Sequence, residues 1–133
     1  MRNKVGLVTI GCFESEELFL TIKKSYELVN FIAADWVFVL MNNEQVEKFK
    51  KFRDINPHYF KNLNIKLDHC DEGISASMNK GINLLKNEWI LMLHAGDYFI
   101  KNINEGYEIL EEIRKNRKFD ILIFGSIYLN HGK

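Results

Sequence analysis

Two rhythms of apolar residues alternate along the chain. Val5 to Ile10 is a short β-branched run ended by Gly11 and predicts a buried first strand. Leu18, Ile22, Tyr26 and Val29 then recur at helical spacing, and Ser15 followed by Glu16 and Glu17 marks the start of a helix. Trp36 to Met41 predicts a second strand, after which Asn42 or Asn43 caps a short helix carrying Val46 and Phe49. Leu63, Ile65 and Leu67 alternate with polar residues, so the third strand is more exposed and lies nearer a sheet edge. Ile74, Met78, Ile82 and Leu85 share one face of a third helix.

Trp89 to Leu93 is continuously apolar and predicts a central strand buried on both faces. Ile109 and Ile113 belong to a charged, amphipathic fourth helix, and Ile121 to Phe124 to a fifth strand. Such alternation predicts an α/β fold, a three-layer α/β/α sandwich with a mostly parallel sheet. Val5–Ile10, Val37–Met41 and Trp89–Leu93 are its expected central strands. In these sheets ligands bind beyond the carboxyl ends of the strands. The segments to search are therefore Gly11 to Glu14, Met41 to Glu44, His69 to Gly73 and His94 to Tyr98. Periodicity yields an architecture hospitable to nucleotides but no reaction.

Composition narrows the partners. The 133 residues form a single domain by length, and 47% hydrophobic with 27% charged residues is a globular balance. Eighteen basic residues offset eighteen acidic ones, so no net field draws the chain to nucleic acid, and a small molecule is the expected ligand. Cys12 and Cys70 are too few for a disulfide framework and lack metal-ligand spacing. With no secretory signal at the amino end, a reducing cytoplasm is expected. The apolar stretches Trp89–Leu93 and Ile121–Leu129 fall short of the roughly 20 residues that span a bilayer, so any membrane association is expected to be peripheral, at the inner face.

The most informative stretch runs from Asp71 to Phe99. It reads Asp71-Glu72-Gly73-Ile74, then Ala76 and Met78-Asn79-Lys80-Gly81, then the apolar strand, then His94-Ala95-Gly96-Asp97-Tyr98-Phe99. This resembles the pattern of family 2 glycosyltransferases of the GT-A type. There an Asp-x-Gly enters a helix bearing a small residue and Asn-x-Gly, and a hydrophobic strand ends in an acidic, metal-binding turn. The Gly11-Cys12-Phe13 turn with the helix from Ser15 matches the family's opening, and Asp120 to Gly125 resembles the strand after the metal motif.

The resemblance implies a chain, residues 1–133, that is the nucleotide-sugar-binding part of an inverting transferase. It implies a nucleoside diphosphate sugar donor, UDP-linked, with Mn²⁺ or Mg²⁺, and a saccharide or lipid-linked glycan acceptor. Asp97 is the implied metal ligand, since a carboxylate oxygen suits a hard cation that must also accept phosphate oxygens; as a bare sequence feature it is a turn Asp beside Gly96. His94 stands where the family has Asp or Asn, and is read as a hydrogen-bonding turn residue or a donor-phosphate contact rather than a metal ligand. The implied donor-site set is Thr9, Gly11, Phe13, Glu14, Asn42, Asp71, Gly73, Asn79, His94 and Ala95. Asn79 competes for backbone bonds in mid-helix and so needs a specific partner, read from the residues as packing on the neighbouring strand although the resemblance puts it in the donor set. Lys80 is read as a surface lysine within reach of phosphate.

Two departures bear on turnover. Leu40-Met41-Asn42-Asn43-Glu44 lacks the carboxylate that the family places after its second strand, unless Glu44 substitutes. The acceptor-side segment that carries the catalytic base is expected beyond Lys133, which leaves the catalytic residue unassigned and the isolated chain inactive. The rival class is a non-catalytic α/β module that binds a nucleotide or a partner. His69, Cys70 and Asp71 diverge along an extended segment and do not make a zinc site. The chain also lacks a glycine-rich dinucleotide fingerprint and a phosphate-loop lysine motif.

Overall fold

Alternation by two within each strand sends side chains to opposite faces of a sheet, and here both faces are covered. The computed structural model describes residues 5–11, 16–87 and 89–96, together with Glu108, Glu111 and Lys115, each helical. The elements in chain order are β1 (Val5–Ile10), α1 (Glu16–Ile32), β2 (Ala33–Leu40), α2 (Asn43–Ile55), a 3-10 turn (Pro57–Phe60), β3 (Asn64–His69), α3 (Ile74–Asn83) and β4 (Ile90–Met92). The expected fourth helix around Ile109 and Ile113 and the expected strand Ile121–Phe124 lie outside the described residues.

The four strands form one sheet of order β3-β2-β1-β4, and every pairing is parallel. Leu7 and Val8 are neighbours in sequence, both fully buried, yet they join different clusters. Leu7 lies with Trp36, Phe38, Leu18, Ile22 and Phe49 on the side of α1 and α2. Val8 lies with Val37, Val39 and Leu85 on the side of α3. The result is three layers, as the alternation of elements predicts. On the first side Trp36 and Phe49 flank Phe38, with ring centroids 4.6 and 4.5 Å away. Burial of each such side chain contributes about 1.5–3 kcal/mol.

Local chemistry explains most boundaries. Glu16 and Glu17 place negative charge in the first turn of α1. Asn42 caps α2: its Oδ1 accepts from the Gln45 N–H at 3.0 Å, and Gln45 Oε1 reaches back to the Met41 N–H at 3.2 Å. The edge position of β3 agrees with its alternating composition. Among the described residues it pairs only with β2, and its two ends are exposed.

Three expectations are corrected. β2 begins at Ala33, directly after α1, rather than at Trp36. Pairing of Val5 with Ala33 extends the strand through residues of weak β preference, and Asp35 accepts hydrogen bonds from Asn64 and Asn87, both at 3.0 Å.

α3 buries a different face. Ser77 and Gly81 point inward, whereas Ile74 is 65% and Ile82 36% exposed. A methyl group on Gly81 would fall 2.6 Å from Val8 Cγ1 and 3.2 Å from Val39 Cγ2. The helix axis comes so close to the sheet that only small residues fit between them.

Finally, Ile90, Leu91 and Met92 are half-buried rather than enclosed, and β4 pairs only with β1 among the described residues. It closes one end of the described sheet instead of occupying its centre.

Candidate site at the carboxyl ends of the strands

The chain builds outward from β1 through β2 to β3, then returns to the opposite side of β1 to place β4. The reversal of strand order creates a switch point between β1 and β4. Open parallel sheets bind ligands in such a crevice, at the carboxyl ends. Gly11 ends β1, and His94-Ala95-Gly96 follows β4.

Backbone bonds carry the pairing past both strands. Leu93 N–H donates to Val8 O at 2.9 Å, and Ala95 N–H to Ile10 O at 3.0 Å. On the other side Gly11 N–H donates to Val39 O at 3.3 Å. The two turns consequently pack against each other without clearance: a methyl on Gly11 would lie 2.5 Å from Ala95 Cβ. Gly96 has φ +97°, a conformation that glycine adopts without a Cβ penalty. Its N–H donates to Thr21 Oγ1 at 2.8 Å and to Glu17 O at 3.1 Å. Thr21 Oγ1 in turn donates to His94 O at 3.4 Å. Glu17 also brings its carboxylate to this turn, since a methyl on Gly96 would be 3.5 Å from Glu17 Oε2.

Gly11, His94 and Ala95 thus lie together at the switch point. Thr9 is one residue too deep. It is fully buried, and its Oγ1 accepts from Trp36 Nε1–H at 2.8 Å, so its side chain belongs to the core rather than to a cleft. Asn42 stands at the end of β2, where its carboxamide oxygen is engaged in capping α2. Asp71 and Gly73 are exposed on the turn from β3 to α3, and Gly73 takes φ +103° with open space around it. Asn79 is exposed, which removes the packing role. Lys80 is anchored to β3: its Nζ donates to His69 O at 2.8 Å and lies 3.7 Å from Asp68 Oδ1. Phe13, Glu14 and Asp97 lie outside the described residues.

Among the described residues no three His, Cys, Asp or Glu side chains group as a cation site. Glu17 is the carboxylate they supply at the turn, an oxygen donor of the kind Mg²⁺ and Mn²⁺ prefer, and it does not make a site alone. The metal reading therefore rests on Asp97. No helix among the described residues is long and apolar enough to cross a membrane.

No known family, curated protein or solved structure matches the chain. Its site has to be read from its own residues. Sequence reasoning overlooked Thr21 and Glu17, both on α1. Thr21 had a detectable signature, a polar residue set among Leu18, Ile22, Leu28 and Val29 on the buried stripe of a helix.

Proposed function

We propose that this chain is the donor-binding part of a glycosyltransferase resembling family 2, with a GT-A type fold. It takes a nucleoside diphosphate sugar, UDP-linked, whose sugar passes to a saccharide or lipid-linked glycan. The observation that carries the reading is the switch point between β1 and β4, at which Gly11 and the His94–Gly96 turn meet. The motif that resembles the family's metal turn begins at that point and continues into Asp97.

In this reading the donor diphosphate lies at the turn after β4. His94 orients or hydrogen-bonds a phosphate. Asp71 contacts the donor from the turn after β3. Asp97 holds Mn²⁺ or Mg²⁺, which when bound supplies charge neutralisation for the leaving diphosphate.

Calorimetry of UDP binding with and without Mn²⁺ tests this. The wild-type chain binds UDP more tightly with Mn²⁺, Asp97→Asn loses that enhancement, and His94→Asn keeps most of it. His94→Asn fatal with Asp97→Asn silent would show that Asp97 is the wrong residue for the metal. Both silent, with the fold intact, would replace the transferase reading by a non-catalytic α/β module.

A further inference from the structure

Thr21 is fully buried on α1, yet its hydroxyl faces a loop that follows a strand far along the chain. It accepts from Gly96 N–H at 2.8 Å and donates to His94 O at 3.4 Å, so one oxygen bridges both ends of a three-residue turn. The backbone oxygen of Glu17, one helical turn earlier, accepts from the same Gly96 N–H at 3.1 Å. A hydroxyl in mid-helix ordinarily bonds locally, to its own helix or to water. Here it is directed across the layer instead. Glycine takes positive and negative φ about equally readily, so the bonds to α1, rather than the backbone itself, select the φ of +97° at Gly96. The next residue in sequence is Asp97.

We propose that Thr21 is a positioning residue: its hydroxyl fixes the conformation of the His94–Gly96 turn and thereby the metal-assisted part of donor binding at that turn. The second half of this statement rests on the donor-binding reading given above. The first half does not. Thr21 touches neither donor nor cation. Its effect is transmitted through Gly96 and His94, from a helix to a site-forming turn.

Thr21→Val keeps the β-branched shape and removes the hydroxyl, whereas Thr21→Ser keeps the hydroxyl. Hydrogen exchange of the Gly96 amide is read in the full chain for both, relative to the core amide of Val8. A buried hydrogen bond contributes about 0.5–1.5 kcal/mol net, so exchange at Gly96 in Thr21→Val should quicken roughly three- to tenfold, with Thr21→Ser within about twofold of wild type. Calorimetry with UDP should show the Mn²⁺ enhancement, the ratio of affinities with and without the ion, reduced in Thr21→Val and kept in Thr21→Ser. Should the valine variant not fold, Thr21→Ala set against Thr21→Ser repeats the comparison.

Unchanged exchange at Gly96 in Thr21→Val overturns the proposal. So does a serine variant as impaired as the valine one. Loss of metal-free and Mn²⁺-dependent affinity in parallel would show a merely structural role. If wild type itself lacks Mn²⁺ enhancement, the donor reading fails and takes the second half with it, and the exchange comparison still decides whether the hydroxyl holds the turn.

Discussion

Gly11→Ala adds one methyl group at the point where the turns after β1 and β4 meet. That methyl would lie 2.5 Å from Ala95 Cβ. Carbon atoms in contact prefer about 3.5–4.0 Å, so the two turns must part by about 1 Å. Neither methyl can rotate away, since a Cβ moves only with its backbone. Ala95 N–H is also bonded to Ile10 O at 3.0 Å, which resists the separation. Overpacking of this kind costs about 1–3 kcal/mol. Against a typical total of about 5–15 kcal/mol the fold survives.

With a urea slope of about 1–3 kcal/mol per molar, the unfolding midpoint should fall by roughly 1 M. Ala95→Gly alone removes a methyl and frees backbone, costing about 0.5–1 kcal/mol. The double variant merely moves the methyl from one turn to the other. It should be more stable than the sum of the single changes by about 1–2 kcal/mol, a coupling that urea titration of all four proteins measures. Strict additivity, or a Gly11→Ala protein as stable as wild type, would refute the close packing of the two turns.

Two other substitutions probe the layers on either side of the sheet. Gly81→Ala gains about 1 kcal/mol in helix propensity but drives a methyl to 2.6 Å from Val8 Cγ1, so the net effect in urea unfolding should be destabilising, and Val8→Ala in the same chain should relieve part of it. Stabilisation by Gly81→Ala would mean that α3 stands further from the sheet. Asn42→Ala should cost about 1 kcal/mol while Asn42→Ser costs less, because the Oδ1 bond to Gln45 N–H caps α2; equal losses in denaturation would remove the capping role.

Much of the architecture was legible because strand and helix patterns change period sharply. The bounds of β1, the cap at Asn42 and the edge character of β3 follow from local chemistry, in which each residue's neighbours in sequence decide its role. The buried face of α3 does not. Ile74, Met78 and Ile82 form the stronger apolar stripe, but the distance between helix and sheet selects Ser77 and Gly81, and that distance is a property of Val8 and Val39.

Ala33 to Asp35 were likewise unreadable, since their extension depends on partners at Val5, Asn64 and Asn87. At the candidate site, strand ends place Gly11 and Ala95 side by side. Thr9 was placed one residue past the boundary between core and surface, because Trp36 Nε1–H claims its hydroxyl. Thr21 was missed since its partners, His94 and Gly96, are remote in sequence.

The order of the strands also sets an order of events during synthesis. β1 finds β2 as soon as α1 has formed, but its other edge pairs with β4, Gly6 opposite Ile90, after most of the described chain has been made. At about 5–20 residues per second that edge waits several seconds on the ribosome. Meanwhile a strand of Val, Leu and Ile presents unpaired backbone groups to every other nascent chain nearby. Pairing across so long an intervening segment is slow on entropic grounds as well. The strand at the heart of the candidate site therefore stays half-paired through most of synthesis, and crowded expression should penalise this chain through aggregation before it penalises the finished fold.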